Sequence, residues 1–420
     1  VWSYTIRNYS QDSSMVINDG YFKGTQGAVS ASIGYLEVNG GTFETVVCDN
    51  NHTSSVFYAL YAAGEAGTVQ CIIHDGTFKT AGNYTAVLIA PYYGDGGINA
   101  DACSYIYGGT FLAPEGVSAV KVSPNTANSS VLYGGSYSML GETDALPYVA
   151  AECRTVEATE GGVSYVVQAR TEEDTDAVAK VGDKVYASLQ TAIDAAEGGT
   201  AVLLKDTAES ITVSGDRTVT LDLGGNTLTN TAGSHTITVV LGGRLTLEDS
   251  AGNGKVDNIS HAKAALFNNG TAVLNGGEYT RSAENGQSAE NNGGNSYYNL
   301  VNHGVMTIGE GVSVSQSGQY SSMVENGYQN YGTEYKEGVN AAAPTLTITG
   351  GLFDGGLNTI KNDDGGVLDI SGGTFNGSVV REVSDGTTFL AALADKNVTT
   401  IKLKGGITVN ATETVKELTI

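Results

Sequence analysis

Three residues have types that could support acid–base hydrolysis. Asp363 and Asp364 form the only pair of adjacent aspartates, in the sequence KNDDGG, and His303 lies earlier, in the sequence NHG. Carboxyl groups that converge on a sugar can cleave its glycosidic bond, one protonating the leaving oxygen while another activates water. A turn rich in Asn and Asp has the same composition. The sequence favours the turn over the catalytic pair, and no catalytic residue is predicted.

Metal and polyuronate chemistry have less support. The sequence GDGG at Gly94–Gly97 lacks the alternating acidic ligands of a calcium loop. Enzymes that act on polyuronates use Lys or Arg to bind carboxylates, but the long segments 49–70 and 81–102 contain neither residue type. There is no CxxC pair for zinc and no pair of histidines at helical spacing. No metal or other cofactor is therefore expected.

The remaining candidates are tyrosines in the long segments between repeats. They lie among Asn, Ser and Gly, a mixture of rigid aromatic contacts and adaptable polar groups that suits ligand recognition. The alternative is that these rings only cover the body of the fold. The predicted ligand-binding residues are Tyr58, Tyr61, Tyr84, Tyr92, Tyr93, Tyr297, Tyr298, Tyr320, Tyr328, Tyr331 and Tyr335.

These segments are spaced along a repeated phrase that must position them. Each copy is a short strand, a Gly-Gly or Asp-Gly corner, a small polar residue and an aromatic residue. Repetition of this kind is typical of a solenoid. The copies are EVNGGTF (37–43), IIHDGTF (72–78), IYGGTF (106–111), LYGGSY (132–137), LNGGEY (274–279), ITGGLF (348–353) and ISGGTF (370–375).

The spacing of the copies predicts a chain that winds around one axis. The strands alternate apolar and polar residues, and the shortest interval between copies is 21 or 22 residues, as from Ile17 to Val38 or from Ile348 to Ile370. That length suits one coil of three strands and three turns. Equivalent residues should therefore lie on one another, which predicts an internal aromatic stack and an asparagine ladder. The predicted stack contains Phe43, Phe78, Phe111, Tyr279, Phe353 and Phe375, and the predicted ladder contains Asn268, Asn269, Asn302 and Asn362.

Two segments, 188–196 and 388–395, interrupt the repeated phrase and have apolar residues at helical spacing, which predicts two short helices. The end of a solenoid exposes unpaired backbone, so these helices are expected to cap modules. The fold class expected is all-β, a right-handed parallel β-helix in tandem modules with α-helical caps. The predicted divisions are an N-terminally incomplete module (1–154), an acidic linker (155–182), a complete module (183–380) and the start of a third (381–420).

Composition limits the partners. The formal net charge of −24 repels phosphate backbones and anionic head groups, so nucleic acid and direct membrane insertion are not expected. A membrane-spanning helix needs about 20 consecutive apolar residues, and no apolar run in the sequence approaches that length. The four cysteines, Cys48, Cys71, Cys103 and Cys153, permit three disulfide pairings, although buried thiols are the favoured interpretation.

The segment AVAKVGDKVYASLQTAIDAAEGGTAVLLKDT (177–207), followed by TLDLGGNTL (220–228) and the GGTF phrases, carries a resemblance. The chain resembles large secreted, adhesin-like repeat proteins of gut-dwelling anaerobic Gram-positive bacteria. That resemblance implies a pectin-lyase-like right-handed β-helix, display at the bacterial cell surface, and neighbouring modules in a longer polypeptide with the signal and anchor elsewhere. It implies no particular ligand-binding residues.

The function expected is that of a non-catalytic surface fibre whose tyrosine-rich loops bind a host or community glycan or protein. One alternative is a hydrolase of neutral polysaccharides, since this fold also hosts polygalacturonases. In those enzymes the Asp pair precedes the His and a basic motif follows, whereas here the order is reversed and the motif is missing. The other alternative is a spacer without a ligand.

Overall fold

The computed structural model describes residues 4–46, 58–64, 68–90, 102–124, 126–282, 298–316, 322–327 and 343–409. The chain forms two compact units, Val1–Thr171 and Glu172–Ile420, and each has its own apolar core. Strands dominate both units, most of them are paired in parallel, and the fold class is all-β.

Unit 1 contains fourteen strands among its described residues and a short 3-10 helix at Leu146–Tyr148. The strands are β1 (Tyr4–Ile17), β2 (Tyr21–Gly24), β3 (Gly27–Val38), β4 (Thr42–Thr45), β5 (Tyr58–Ala63), β6 (Val69–Ile73), β7 (Thr77–Lys79), β8 (Val87–Ala90), β9 (Tyr105–Ile106), β10 (Thr110–Leu112), β11 (Val120–Val122), β12 (Gly135–Tyr137), β13 (Cys153–Glu157) and β14 (Tyr165–Ala169).

These strands form three parallel ladders that the chain visits in turn. Ladder A joins the first parts of β1 and β3 to β5, β8 and β11, and ladder B joins their second parts to β6 and β9. Ladder C contains β2, β4, β7, β10 and β12, and an antiparallel hairpin of β13 and β14 pairs with its last strand. Like residues therefore pair with like residues, as Phe43 with Phe78 and Phe78 with Phe111.

Unit 2 repeats this plan. Its strands are β15 (Ala179–Val181), β16 (Lys184–Tyr186), β17 (Thr200–Leu203), β18 (Thr207–Ala208), β19 (Ile211–Val213), β20 (Thr218–Asp222), β21 (Thr227–Thr229), β22 (Ile237–Val239), β23 (Arg244–Glu248), β24 (Lys255–Asp257), β25 (Leu266–Asn268), β26 (Thr271–Thr280), β27 (Leu300–Asn302), β28 (Val305–Gln316), β29 (Val324–Asn326), β30 (Thr345–Ile348), β31 (Leu352–Gly355), β32 (Ile360–Asn362), β33 (Val367–Ile370), β34 (Thr374–Asn376), β35 (Val379–Val383) and β36 (Thr400–Leu403).

The parallel strands of unit 2 again fall into three ladders. Ladder D contains β17, β20, β23, β30 and β33, and ladder E contains β18, β21, β24, β31 and β34. The long strands β26 and β28 run through both of these ladders. Ladder F runs from β19 through β22, β25, β27, β29, β32 and β35 to β36.

The corners between ladders need glycine for two separate reasons. At Gly134 a Cβ atom would lie 2.1 Å from the carbonyl oxygen of Tyr107 in the preceding repeat, so no side chain fits. The next residue, Gly135, has a φ of +110°, which L-residues rarely adopt. The same pair of constraints recurs at Gly372 and Gly373, which explains why the phrase repeats a Gly-Gly corner.

Inside unit 1 the aromatic residues after the corners form a continuous stack. Phe43 and Phe78 lie 4.7 Å apart, and Phe78 and Phe111 lie 5.0 Å apart, with interplanar angles of 7° and 4°. Phe22 and Tyr137 extend this stack at its two ends. The predicted internal stack is thus confirmed in unit 1.

In unit 2 the stack is shorter than predicted. Phe353 and Phe375 stack at 4.9 Å. Tyr279 is fully buried but does not join them, because the register places Val314 between Tyr279 and Phe353. That part of the predicted stack is wrong.

The predicted asparagine ladder is confirmed along ladder F. Asn268 donates to Asn302 over 2.8 Å, Asn302 donates to Asn326 over 2.8 Å, and Asn326 donates to Asn362 over 2.6 Å. Asn326 belongs to the ladder although it was not predicted, and the prediction is wrong for Asn269, which lies next to Asn268 outside this line of amides. Each amide also bonds a backbone carbonyl group, so the column ties each turn to the next one.

Two helices lie at the segments predicted to be helical. Helix α1 (Leu189–Ala195) buries Leu189, Ala192 and Ile193, and the hydroxyl of Ser188 accepts a hydrogen bond from its first turn. Helix α2 (Gly386–Ala394) begins after Asp385, whose carboxylate accepts hydrogen bonds from two backbone amides of the first turn.

The boundary between the units, Thr171/Glu172, falls inside the segment 155–182 predicted as a linker. Much of that segment is ordered into strands: β14 pairs with β12 in unit 1, and β15 pairs with β17 in unit 2. Residues 381–409, predicted to begin a third module, lie in unit 2, where β36 extends ladder F.

Candidate functional site

Three predicted tyrosines converge on the outer face of ladder A in unit 1. The rings of Tyr58 and Tyr61 stack with centroids 5.5 Å apart, and Tyr84 meets Tyr58 edge-on at 6.3 Å. Tyr4, from β1, lies 6.4 Å from Tyr61. All four rings are partly exposed to solvent, and we call Tyr4, Tyr58, Tyr61 and Tyr84 the tyrosine cluster.

Local structure explains why the rings approach so closely. On β5 the small or apolar residues between and after the two tyrosines, among them Leu60, are buried, whereas Tyr58 and Tyr61 are each partly exposed. Opposite Tyr58 on β3 is Gly27, where a Cβ atom would lie 2.5 Å from the ring of Tyr4 and 2.7 Å from the carbonyl oxygen of Tyr58. A glycine at this position leaves the space that the cluster occupies.

The phenol of Tyr58 is uncharged over the physiological pH range. Burial, assisted by the neighbouring Tyr61 and Tyr84, raises the pKa of Tyr58 to about 12. Its hydroxyl group therefore stays protonated and can donate a hydrogen bond to a ligand. At the edge of the cluster the Arg7 guanidinium lies 4.7 Å from the ring centroid of Tyr9 and 6.0 Å from that of Tyr4, within cation–π range.

Tyr298 is placed differently. It belongs to unit 2, is only 3% exposed, and packs with Ala264 and Val301 beside ladder F. The ammonium group of Lys361 lies 5.8 Å from its ring centroid. The structure therefore places Tyr298 in a packed interior cluster and not on the surface expected for a ligand contact. The other predicted tyrosines lie outside the described residues: Tyr92, Tyr93, Tyr297, Tyr320, Tyr328, Tyr331 and Tyr335.

Sequence reasoning missed a second group of rings, on the outer face of ladder B. His74, Tyr107 and Tyr133 each directly follow the last inward residue of a strand, and they stack one on another. The signal was present in the repeated phrase, since IIHDG, IYGG and LYGG place these three residues at the same position before the corner.

The possible catalytic residues His303 and Asp363 do lie near one another, in a buried cluster on ladder F. Asp363 is fully buried and lies 2.7 Å from the ammonium nitrogen of Lys361, which also lies 3.5 Å from Glu325. Burial, with a further contribution from Asp363, raises the pKa of Glu325 to about 9. Burial lowers the pKa of His303 to about 4. A protonated carboxyl of this kind could serve as a general acid, but Glu325 and Asp363 have no exposed surface through which a substrate could reach them.

A shallow groove along ladder E is the more accessible acidic surface. Two adjoining cavities of about 570 and 420 Å³ share Glu278, and the second is also lined by Asp257 and Asp354. Partial burial opposes ionisation of Glu278, but hydrogen bonds from Lys255 and Ser315 outweigh it and lower its pKa. Glu278 is thus an ionised carboxylate with no proton to donate to a leaving group.

The described residues contain no group of three or more His, Cys, Asp and Glu side chains that could hold a metal ion. Cys71 is a fully buried free thiol, and burial raises its pKa to about 12. Cys153 is also buried, and its thiol donates to the carbonyl oxygen of Tyr133. Cys103 is half-buried, and Cys48 lies outside the described residues.

Comparison with known proteins identifies no relative: no family model, curated protein or solved structure matches the chain. Among the helices of the described part, none is both long enough and apolar enough to span a bilayer.

Proposed function

We propose that the chain is part of a non-catalytic fibre on a bacterial cell surface that adheres to an external ligand through outward-facing aromatic side chains. The observation that carries this proposal is the convergence of Tyr58, Tyr61 and Tyr84 on one partly exposed face. Aromatic residues that are fixed in place and partly exposed provide contact area at little cost in side-chain entropy.

We further infer that the three ladders of each unit are the three faces of a right-handed parallel β-helix. The crossover connection between two parallel strands of one sheet is right-handed in nearly all known cases. The Phe stack in unit 1 and the asparagine ladder in unit 2 repeat the same contact from one strand of a ladder to the next, which suits a stiff stalk. Neighbouring modules of the same polypeptide would continue the stalk, and a host glycan or glycoprotein would be the partner.

The charge of the chain supports an extracellular binding role over a nucleic-acid or lipid partner. A net charge of −24 keeps such a fibre soluble and repels anionic polymers. The tyrosine cluster adds no acidic group, so a neutral ligand can approach its rings without electrostatic cost.

Binding of the whole chain to a glycan array and to a panel of host glycoproteins, including mucin, tests the adhesive function. The decisive variant is Tyr58→Ala with Tyr61→Ala, which should lose binding, and Tyr58→Phe with Tyr61→Phe, which keeps the rings, should retain most of it. Tyr21→Ala is the matched control, because Tyr21 is 61% exposed and lies on ladder C. Absence of binding on both surfaces would instead support a spacer.

The hydrolase alternative would require a protonated carboxyl beside an ionised one in an open groove. In the groove along ladder E, Glu278 is held ionised by Lys255. Asp257 accepts hydrogen bonds from Thr280 and the backbone of Ser282. These contacts favour a structural role for both carboxylates, and the adhesive function is the better-supported proposal.

A further inference from the structure

The outer face of ladder B carries an aromatic surface that is separate from the tyrosine cluster. His74 and Tyr107 stack at 5.5 Å with an interplanar angle of 13°, and Tyr107 and Tyr133 follow at 5.4 Å. Tyr105 lies beside this column, 5.9 Å from Tyr107 and 6.1 Å from Tyr133. We call His74, Tyr105, Tyr107 and Tyr133 the tyrosine strip.

The backbone keeps the strip on the solvent side. The residues just before His74, Tyr107 and Tyr133 are Ile73, Ile106 and Leu132, and all three are fully buried in the core. Side chains alternate between the two faces of a strand, so each ring must point outward. Tyr107 is 47% exposed and the side chain of His74 is 44% exposed, so the strip leaves considerable aromatic area in contact with water.

The strip is also preorganised. Each ring is held by a ring on a neighbouring strand, and the strands are joined by parallel pairing from β6 to β9 and by the bridge from Ile106 to Leu132. A ligand that binds here does not have to immobilise freely rotating side chains, which removes part of the entropic cost of binding.

Polar groups continue the same face towards the start of the unit. Glu37 accepts a hydrogen bond from the Tyr35 hydroxyl over 2.9 Å, and its carboxylate lies 3.5 Å from Nε2 of His74. Asn39 donates to Asn18 over 3.0 Å at the position that His74 occupies one coil later. A carboxylate accepts hydrogen bonds from hydroxyl groups, and a side-chain amide both donates to them and accepts from them.

The chemistry of this face selects a neutral ligand. The strands of ladder B, residues 14–17, 34–38, 69–73 and 105–106, contain Glu37 and neither Lys nor Arg. An anionic polymer would meet the carboxylate of Glu37 and no Lys or Arg on these strands. A neutral sugar can instead pack its apolar C–H surface against the ring edges that the stack leaves exposed, and it offers hydroxyl groups to Glu37 and the amides.

The spacing of the rings selects an extended polymer. The steps of 5.4 and 5.5 Å between successive rings are close to the length of one pyranose residue in an extended polysaccharide. We propose that the tyrosine strip binds a neutral, extended polysaccharide that lies along ladder B, with about one sugar residue per ring. This proposal rests on the adhesive function proposed above and assigns it a second site and a ligand class.

Affinity electrophoresis of the whole chain tests the proposal, with hydroxyethyl cellulose and galactomannan as neutral probes and polygalacturonate as the anionic probe. We expect retardation in the two neutral gels and none in the anionic gel. Tyr107→Ala with Tyr133→Ala should weaken binding at least about tenfold, whereas Tyr21→Ala, outside the strip on ladder C, should bind nearly as the unaltered chain does. Circular dichroism of each variant checks that the fold is retained.

The outcomes separate the two proposals. Retardation that survives the double alanine variant but is lost in Tyr58→Ala with Tyr61→Ala overturns the strip and leaves adhesion standing. Retardation by polygalacturonate alone overturns the ligand class. A chain that ignores every polysaccharide yet binds a host glycoprotein on the panel also overturns the strip, because its partner is then a protein surface, and leaves adhesion intact. Binding to nothing overturns both.

Discussion

The side-chain amide of Asn302 donates a hydrogen bond to the Oδ1 atom of Asn326 over 2.8 Å, and both side chains are fully buried. The same atoms are joined from Asn268 to Asn302 and from Asn326 to Asn362. A row of this kind satisfies each buried amide only while its neighbours are present, so its members depend on one another.

Asn302→Ala should therefore destabilise unit 2 by about 2 to 4 kcal/mol, because Asn268 and Asn326 each lose a buried hydrogen-bond partner. Urea unfolding of the whole chain measures the loss, and hydrogen exchange should locate it in β25, β27 and β29. Asn253→Ala is the control, since Asn253 is exposed and its replacement should change stability by less than about 0.5 kcal/mol. Equal effects of the two variants would show that the asparagine row contributes little.

Phe78→Ala should cost about 3 to 5 kcal/mol in unit 1, because it removes a fully buried ring that stacks on Phe43 and Phe111. Phe22→Ala makes a matched comparison: Phe22 ends the same stack and is only half-buried, so its loss should be clearly smaller. Thermal unfolding of both variants tests the order. A larger effect at Phe22 would contradict the idea that stacking on both faces of a ring stabilises unit 1.

The buried cluster on ladder F predicts how stability depends on pH above neutrality. Burial raises the pKa of Glu325 from 4.5 to about 9, so between these values the folded chain holds a proton that the unfolded chain has released. Stability contributed by this group is present at low pH and is lost as the pH rises towards 9. Glu325→Gln should remove up to about 1.4 kcal/mol per pH unit from that decline.

Unfolding free energies of the unaltered chain and of Glu325→Gln, measured at pH 7, 8 and 9 at constant ionic strength, give the two slopes. Lys361 keeps its contact with Asp363 in the variant, so the cluster should persist. Two parallel slopes would mean that Glu325 is already ionised in the folded chain. His303 acts in the opposite direction. Burial lowers its pKa from 6.5 to about 4, so the stability that it contributes is lost as the pH drops from 6.5 towards 4.

Much of the scaffold could be predicted because its signals are local. The phrase that ends in Phe43, Phe78 and Phe111 shows both the inward residue and the corner, and stacking follows once the strands are in parallel register. Tyr279 shows where this reasoning fails. The phrase that ends in Tyr279 matches the other copies. The next strand in the ladder, β28, has Val314 at the equivalent position, and its sequence does not match the phrase.

The candidate sites depended much less on local pattern. Tyr58 and Tyr298 both lie in tyrosine-rich segments, yet one joins a partly exposed cluster and the other is buried beside Lys361. Tyr107 lies in a repeat phrase and not in a long insert, so its place in an exposed strip was overlooked.

Alternation of apolar and polar residues and the Gly-Gly corners determine, from the sequence alone, that the chain is all-β and which side chains point inward. Only the tertiary structure decides which outward side chains meet, as Tyr4 meets Tyr61 and His74 meets Tyr107. The physical reason is that alternation is a property of a single strand. A contact across a face depends on the register between strands separated by segments of unequal length, which local sequence does not encode.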